Sequence, residues 1–132
     1  MSITFSVAPK KDSRDKTAAP KYYAVAKSTG RADTNAVAKE IARMSTVSTA
    51  DTMAMLEAFL TVVPDQLADG KIVELGEFGT FRISLSSEGA ESADKVTADS
   101  ITDVRVIFNP GKRFEDVLAT LKFQKEAQRD TA

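Results

Sequence analysis

Two acid pairs in this chain, Asp65/Asp69 and Asp99/Asp103, stand four residues apart. In a helix that spacing puts both carboxylates on one face. Such a pair can serve as general acid and base in a hydrolase. Nothing completes a catalytic set around them. The 132 residues include no histidine and no cysteine. The commonest general base, the commonest transition-metal ligand and the thiol nucleophile are therefore missing, and disulfides are excluded. With no recognisable metal or nucleophile pattern, the acid pairs read as solvated surface. The chain is expected to be no enzyme and to use no cofactor, metal or small-molecule substrate.

The cations suggest other chemistry. The net charge is −1, but residues 1–31 carry seven Lys/Arg against two Asp, net +5, and the other 101 residues carry 11 against 17, net −6. Lys10, Lys11, Arg14, Lys16 and Lys21 crowd into one short stretch. A basic end of this kind can attract nucleic acid, or can be a solvated loop; charge alone leaves both readings open. No run of about 18 apolar residues exists, so no membrane contact is expected. The opening "MSITFSVAPKKDSRDK" has apolar residues before charges, the reverse of a secretory signal, so the cytoplasm is the expected location.

The elements that must position these groups follow from periodicity. Ile3, Phe5 and Val7 alternate with Thr4 and Ser6, a half-buried strand, and "KYYAVAK" from Lys21 is a candidate partner. Pro9 and Pro20 bound the loop between them. Asp33 or Thr34 caps a helix running to about Met44. Ser48, with Asp51 three residues on, starts a second helix whose stripe is Met53, Leu56, Phe59, Leu60, Val63 and Leu67. Pro64 is expected to kink or split that helix, and Gly70 to end it in the left-handed region. Ile72 to Leu75 and "FGTFRISL" read as a hairpin around Gly76 or Glu77. Ser92 is a candidate cap for a short helix in the polar segment 86–100. "VRVIF" (104–108) is a strand, "NPG" (109–111) a turn, and "KRFEDVLATLKF" an amphipathic helix. The remaining "QKEAQRDTA" reads as a fraying polar tail.

The stretches "LEAFLTVVPDQLADGKIVELGEFGTF" (56–81) and "VRVIFNPGKRFEDVL" (104–118) resemble the HU and integration host factor family of bacterial histone-like proteins. The resemblance covers roughly Thr34 to Leu121, about two-thirds of the chain. The N-terminal addition is similar to that of a longer, HU-related branch of Bacteroides-type bacteria. The resemblance implies an α+β, HU-like fold: two helices, a three-stranded antiparallel sheet with a hairpin insertion, and a C-terminal helix. Here an extra N-terminal β-hairpin precedes it. The implied division is 1–33 β extension with basic loop, 34–121 HU-like domain and 122–132 polar tail. It also implies a homodimer whose shared core includes Phe59, Phe78, Phe81 and Phe108, since two short helices and three strands leave an apolar sheet face uncovered.

By the same resemblance the partner is double-stranded DNA and the setting the nucleoid. The family grips DNA by phosphate contacts from a saddle and by two basic β-arms that insert proline wedges. The implied saddle residues are Asn109, Gly111, Lys112 and Arg113 at the turn into the last helix. Arg82 and Arg105 flank the arm root, where pairing with Glu or Asp across strands is an equal reading. The basic loop is an auxiliary candidate. The arm departs from the pattern: Arg82 to Ile107 carries three cations against five acids, net −2, and no proline. A non-catalytic, sequence-tolerant DNA-binding dimer is the leading expectation. A protein–protein module that has lost its basic arms is the alternative.

Overall fold

The computed structural model describes residues 1–11, 14, 17 and 19–127. The chain forms two compact units. Met1–Ala32 joins Val117–Ala132 in one, and Asp33–Asp116 makes the other.

The second unit opens with α1 (Thr34–Met44) and α2 (Thr49–Ala68). Both start where the sequence offers a side-chain acceptor. Asp33 accepts from the Ala36 amide at 2.8 Å, and Ser48 from the Asp51 amide at 3.1 Å. Each bond satisfies an amide that the first helical turn leaves without a partner. The helices pack on each other where Ala38 and Thr52 are buried. Gly70, at φ +83°, ends α2. Its amide reaches the Leu67 carbonyl, and the next amide, Lys71, reaches Gln66 at 3.2 Å, which closes the last turn.

Pro64 does not split α2, as the sequence suggested it could. The helix runs unbroken through it for 20 residues. Thr52 and Leu67, buried on either side of Pro64, show that both halves keep packed positions while one backbone bond is lost.

Three strands complete this unit: β3 (Val73–Glu74), β4 (Gly79–Ser87) and β5 (Ile101–Pro110), in the order β3-β4-β5. A single 3-10 turn, Gly76–Phe78, separates the first two. The antiparallel register sets Phe81 opposite Phe108, Ile83 opposite Val106 and Leu85 opposite Val104. The result is an apolar stripe along one face of the β4–β5 ribbon. Ser86 and Ser87 carry an irregularity, beyond which the ribbon ends in two short 3-10 turns, Ala93–Lys95 and Ala98–Ser100. The segment after Ser92 is therefore broken rather than one short helix.

Four phenylalanines lock the base of the ribbon. Phe81 stacks on Phe108 at 4.6 Å, and Phe78 meets Phe114 edge-on at 5.0 Å. Phe108 joins the two pairs, 5.7 Å from Phe78 and 5.6 Å from Phe114. Each such pair adds about 0.5–1.5 kcal/mol beyond the area it buries. The cluster requires two backbones to touch. The Gly111 amide donates to the Phe78 carbonyl at 2.9 Å, and a Cβ at Gly111 would overlap the Glu77 carbonyl group.

The other unit is a second three-stranded sheet, ordered β2-β1-β6. Strand β1 (Ser2–Lys10) pairs antiparallel with β2 (Lys21–Lys27) from Thr4↔Lys27 to Lys10↔Lys21. The third strand corrects the sequence reading twice. The last helix, α3, spans only Lys112–Ala119, and Lys122–Lys125 forms β6, parallel to β1. The helix ends as Thr120 turns its amide and hydroxyl to the Val117 carbonyl, and Leu121 its amide to Leu118. Phe123 then falls opposite Ile3, where it lines an apolar hollow of about 350 Å³ with Phe5, Ala24 and Ala26. A partner 120 residues away holds these four residues in place of the free tail expected at 122–132. The Glu126 amide donates a hydrogen bond to the Phe5 carbonyl, and its carboxylate forms an ion pair with Lys27.

Gly111→Ala is expected to lower stability by about 1–3 kcal/mol, because its methyl group meets backbone that cannot move aside as a side chain would. Urea denaturation measures this; an unchanged midpoint would show that the close approach is not needed.

Candidate nucleic-acid interface

The saddle candidates of the second unit lie on two connected elements. Alternation places Arg82, Arg105 and Asn109 on the face of β4–β5 opposite the phenylalanine stripe. Arg82 stands across from Ile107, and Arg105 across from Ser84. Lys112 and Arg113 follow as the first two residues of α3.

Most of these cations are not equally available. Arg105 donates to the Ser86 hydroxyl at 3.2 Å and lies 3.8 Å from the Asp103 carboxylate on its own strand. Arg113 faces Glu77 at 3.7 Å. Among the described residues Arg82 and Lys112 form no ion pair. Gly111 has a different part: its amide is used by Phe78, so it shapes the turn and offers no donor.

The arm beyond stays anionic. Ser92 donates to the Asp94 carboxyl, which holds that group below the usual carboxylate range. Lys95 meets Glu91 at 3.5 Å, so the arm's one lysine is matched by an acid. Asp65 on α2 and Asp69 at its C-cap are solvent-facing, and among the described residues no group of acids is placed to hold a metal ion. No helix of the described residues is long and apolar enough to cross a membrane.

The expected shared core is open in this chain. Only Ala38 and Leu67 are buried hydrophobic residues among those described. Phe59 and Phe78 are each 42% exposed. Between α2 and the sheet lies an apolar cavity of about 380 Å³, lined by Phe59, Leu60, Val63, Leu67, Phe81, Ile83 and Val106 among others. Phe81 therefore has two roles, in the aromatic cluster and toward this open face.

The basic candidates of the first unit cluster at one end of its sheet. Lys10 and Lys21 close the β1–β2 pairing directly opposite each other, and Lys11 and Arg14 follow in the connecting loop. Lys16 lies outside the described residues. Sequence reasoning missed Lys122, which β6 brings beside Ser2 of β1. The period-two pattern of Leu121, Lys122, Phe123 and Gln124 was the available signal.

A helical pair against a three-stranded sheet, a long β-ribbon, and a last helix entered through Pro-Gly-Lys define an HU-like protein. A family model described as "HU domain fused to wHTH, Ig, or Glycine-rich motif" matches residues 1–125, and the chain belongs to this HU-HIG family. No curated protein sequence matches it. Among solved structures, it is similar to a candidate bacterial DNA-binding protein from Bacteroides vulgatus ATCC 8482, with 14% identity and a TM-score of 0.67. That likeness covers 98% of this chain but only 50% of the other, so this chain spans about half the length of that protein. It is also similar to Anabaena HU in a cocrystal with DNA, at 18% identity and TM-score 0.53, over 67% of this chain and 98% of that one. At these identities the likeness concerns the fold.

The exposed Arg113–Glu77 pair predicts a small structural cost for mutating this turn. Lys112→Ala with Arg113→Ala is expected to change stability by less than about 1 kcal/mol. A larger shift in thermal unfolding would make the pair structural and disqualify the double variant as a probe of binding.

Proposed function

We propose that this chain is a non-catalytic, largely sequence-independent DNA-binding protein of the histone-like kind, acting as a homodimer in the bacterial nucleoid. The observation that carries the reading is an HU-type body with its turn into α3 intact, within a family defined by the HU domain. Contact with DNA is made through phosphates. Arg82 and Lys112 are the saddle's uncommitted cations, Arg113 becomes available when it leaves Glu77, and Asn109 and Arg105 lie at the margin. Sequence tolerance follows, because phosphate contacts position a protein on the duplex without reading bases. The acidic, proline-free arm lacks the charge and the wedge needed for wrapping and kinking.

The dimer supplies what the single chain lacks. The open cavity between α2 and the β4–β5 face fits the corresponding face of a second copy, as closed two-fold assemblies require. One observation favours a second reading, a protein–protein module: the arm bears net −2 and keeps exposed Leu85, Val96 and Val104.

Binding to a short random duplex is expected to weaken steeply with salt, by about 0.9 in the log–log slope for each phosphate neutralised. Lys112→Ala with Arg113→Ala should make that slope shallower. A slope near zero for the wild type in fluorescence anisotropy would overturn the DNA reading. A protein partner that persists after nuclease treatment would then support the alternative. For the dimer, sedimentation equilibrium of the wild type should give twice the chain mass, and Phe59→Asp should shift it toward monomer. A wild-type protein that sediments as a monomer at micromolar concentration would remove the dimer.

A further inference from the structure

Charge divides between the two units more sharply than the sequence halves suggested. The unit of 1–32 and 117–132 holds ten Lys/Arg against four acids, net +6, and the unit of 33–116 holds eight against fifteen, net −7. The acidic unit is the HU-like body. Half of its eight cations have an acid partner: Arg43, Lys95, Arg105 and Arg113. The basic unit differs. Among the described residues Lys10, Lys11, Lys21 and Lys122 are in no ion pair, and Lys27 pairs with Glu126.

The sheet sorts four of these lysines onto one side. Register and alternation put Lys10, Lys21, Lys27 and Lys122 on the same face, with Tyr23 between them and the small side chains of Ser2, Thr4 and Ser6 below. The opposite face carries Ile3, Phe5 and Phe123, with Lys125 beside Phe5 as its one lysine among the paired strand residues. Lys10 and Lys21 stand directly across from each other, an arrangement of like charges that costs stability until an anion lies between them. From Ser2, beside Lys122, to Lys10 the strand covers about 26 Å. Over that length one DNA strand presents roughly eight phosphates. Pro9 and Pro20 are exposed at the same end of the ribbon as Lys10 and Lys21.

We propose that the principal nucleic-acid contact of this chain is the lysine face of the β2-β1-β6 sheet, through Lys10, Lys11, Lys21 and Lys122, with the acidic β4–β5 arm left out. The proposal rests on the DNA-binding reading above and relocates its main surface. A duplex suits this face better than the acidic arm of a second copy. The arm is only net −2 and spends Glu91 and Asp103 on its own cations, whereas a duplex carries one charge per about 1.7 Å.

The test uses the full chain and a short random duplex followed by fluorescence anisotropy across salt. Lys10→Gln/Lys11→Gln/Lys21→Gln is expected to weaken binding by about tenfold or more at intermediate salt, with a slope shallower by about 0.9 per lysine in contact. The triple Lys→Arg version, which keeps the charge, should bind like the wild type. Arg82→Gln/Lys112→Gln should lose less than the triple Gln variant. Should the triple Gln variant unfold by circular dichroism, Lys122→Glu alone carries the test, and is expected to weaken binding too. A greater loss from Arg82→Gln/Lys112→Gln, with the lysine-face variants unaffected, overturns this proposal and leaves the DNA reading standing. Absence of wild-type binding at the lowest salt removes both. Unchanged DNA binding together with lost salt-sensitive self-association would assign the lysine face to a second copy instead, and likewise overturns it.

Discussion

The HU-like unit depends on one backbone contact, the approach of Gly111 to the Glu77–Gly79 segment. Only a residue without a side chain can come so close. That contact fixes the 3-10 turn against the end of β5, and so fixes where Phe78 sits relative to Phe108 and Phe114. The direction in which α3 leaves the sheet follows from it. So does the placement of Lys112 and Arg113 at the first turn of that helix. A single glycine thereby links aromatic packing to electrostatics.

Around that junction the unit has little interior of its own. Its helices bury a small residue, Ala38, where they meet, and a polar one, Thr52. The larger apolar side chains of α2 and of the ribbon face the cavity. Solvation of such a surface is unfavourable, so a partner that covered it would add stability that the single chain lacks.

The parts of the structure that were legible in the sequence are those settled by near neighbours. Asp33, Ser48 and Gly70 marked the helix ends because capping acts over two to five residues. The hairpin from Val73 and the strand at 104–108 showed in their alternation. What was hidden is settled by distant partners. Strand β6 exists because Phe123 meets Ile3, and no local pattern of "LKFQK" announces a partner 120 residues away. Pro64 read as a kink or a split because its local effect is unfavourable, and the packing on either side of it is not local. At the site, the residue types were legible and their availability was not. That Arg113 faces Glu77, and that the Gly111 amide is used, are facts of tertiary contact.

The parallel pairing of β1 with β6 has a consequence for the order in which the molecule can be made. A chain leaves the ribosome from its N-terminus, so β1 and β2 emerge well before β6, as a two-stranded ribbon that is marginal in water by itself. The middle unit is next, and its pairings of α1 with α2 and of β4 with β5 are internal to it. Only when Lys122–Lys125 emerges does the first strand gain its second neighbour. Closing a loop of that length as unfolded chain would be slow, but a folded middle unit shortens the disordered chain to be closed. The basic sheet accordingly becomes whole after the middle unit, and the lysine face is assembled only on molecules whose acidic unit has already been synthesised.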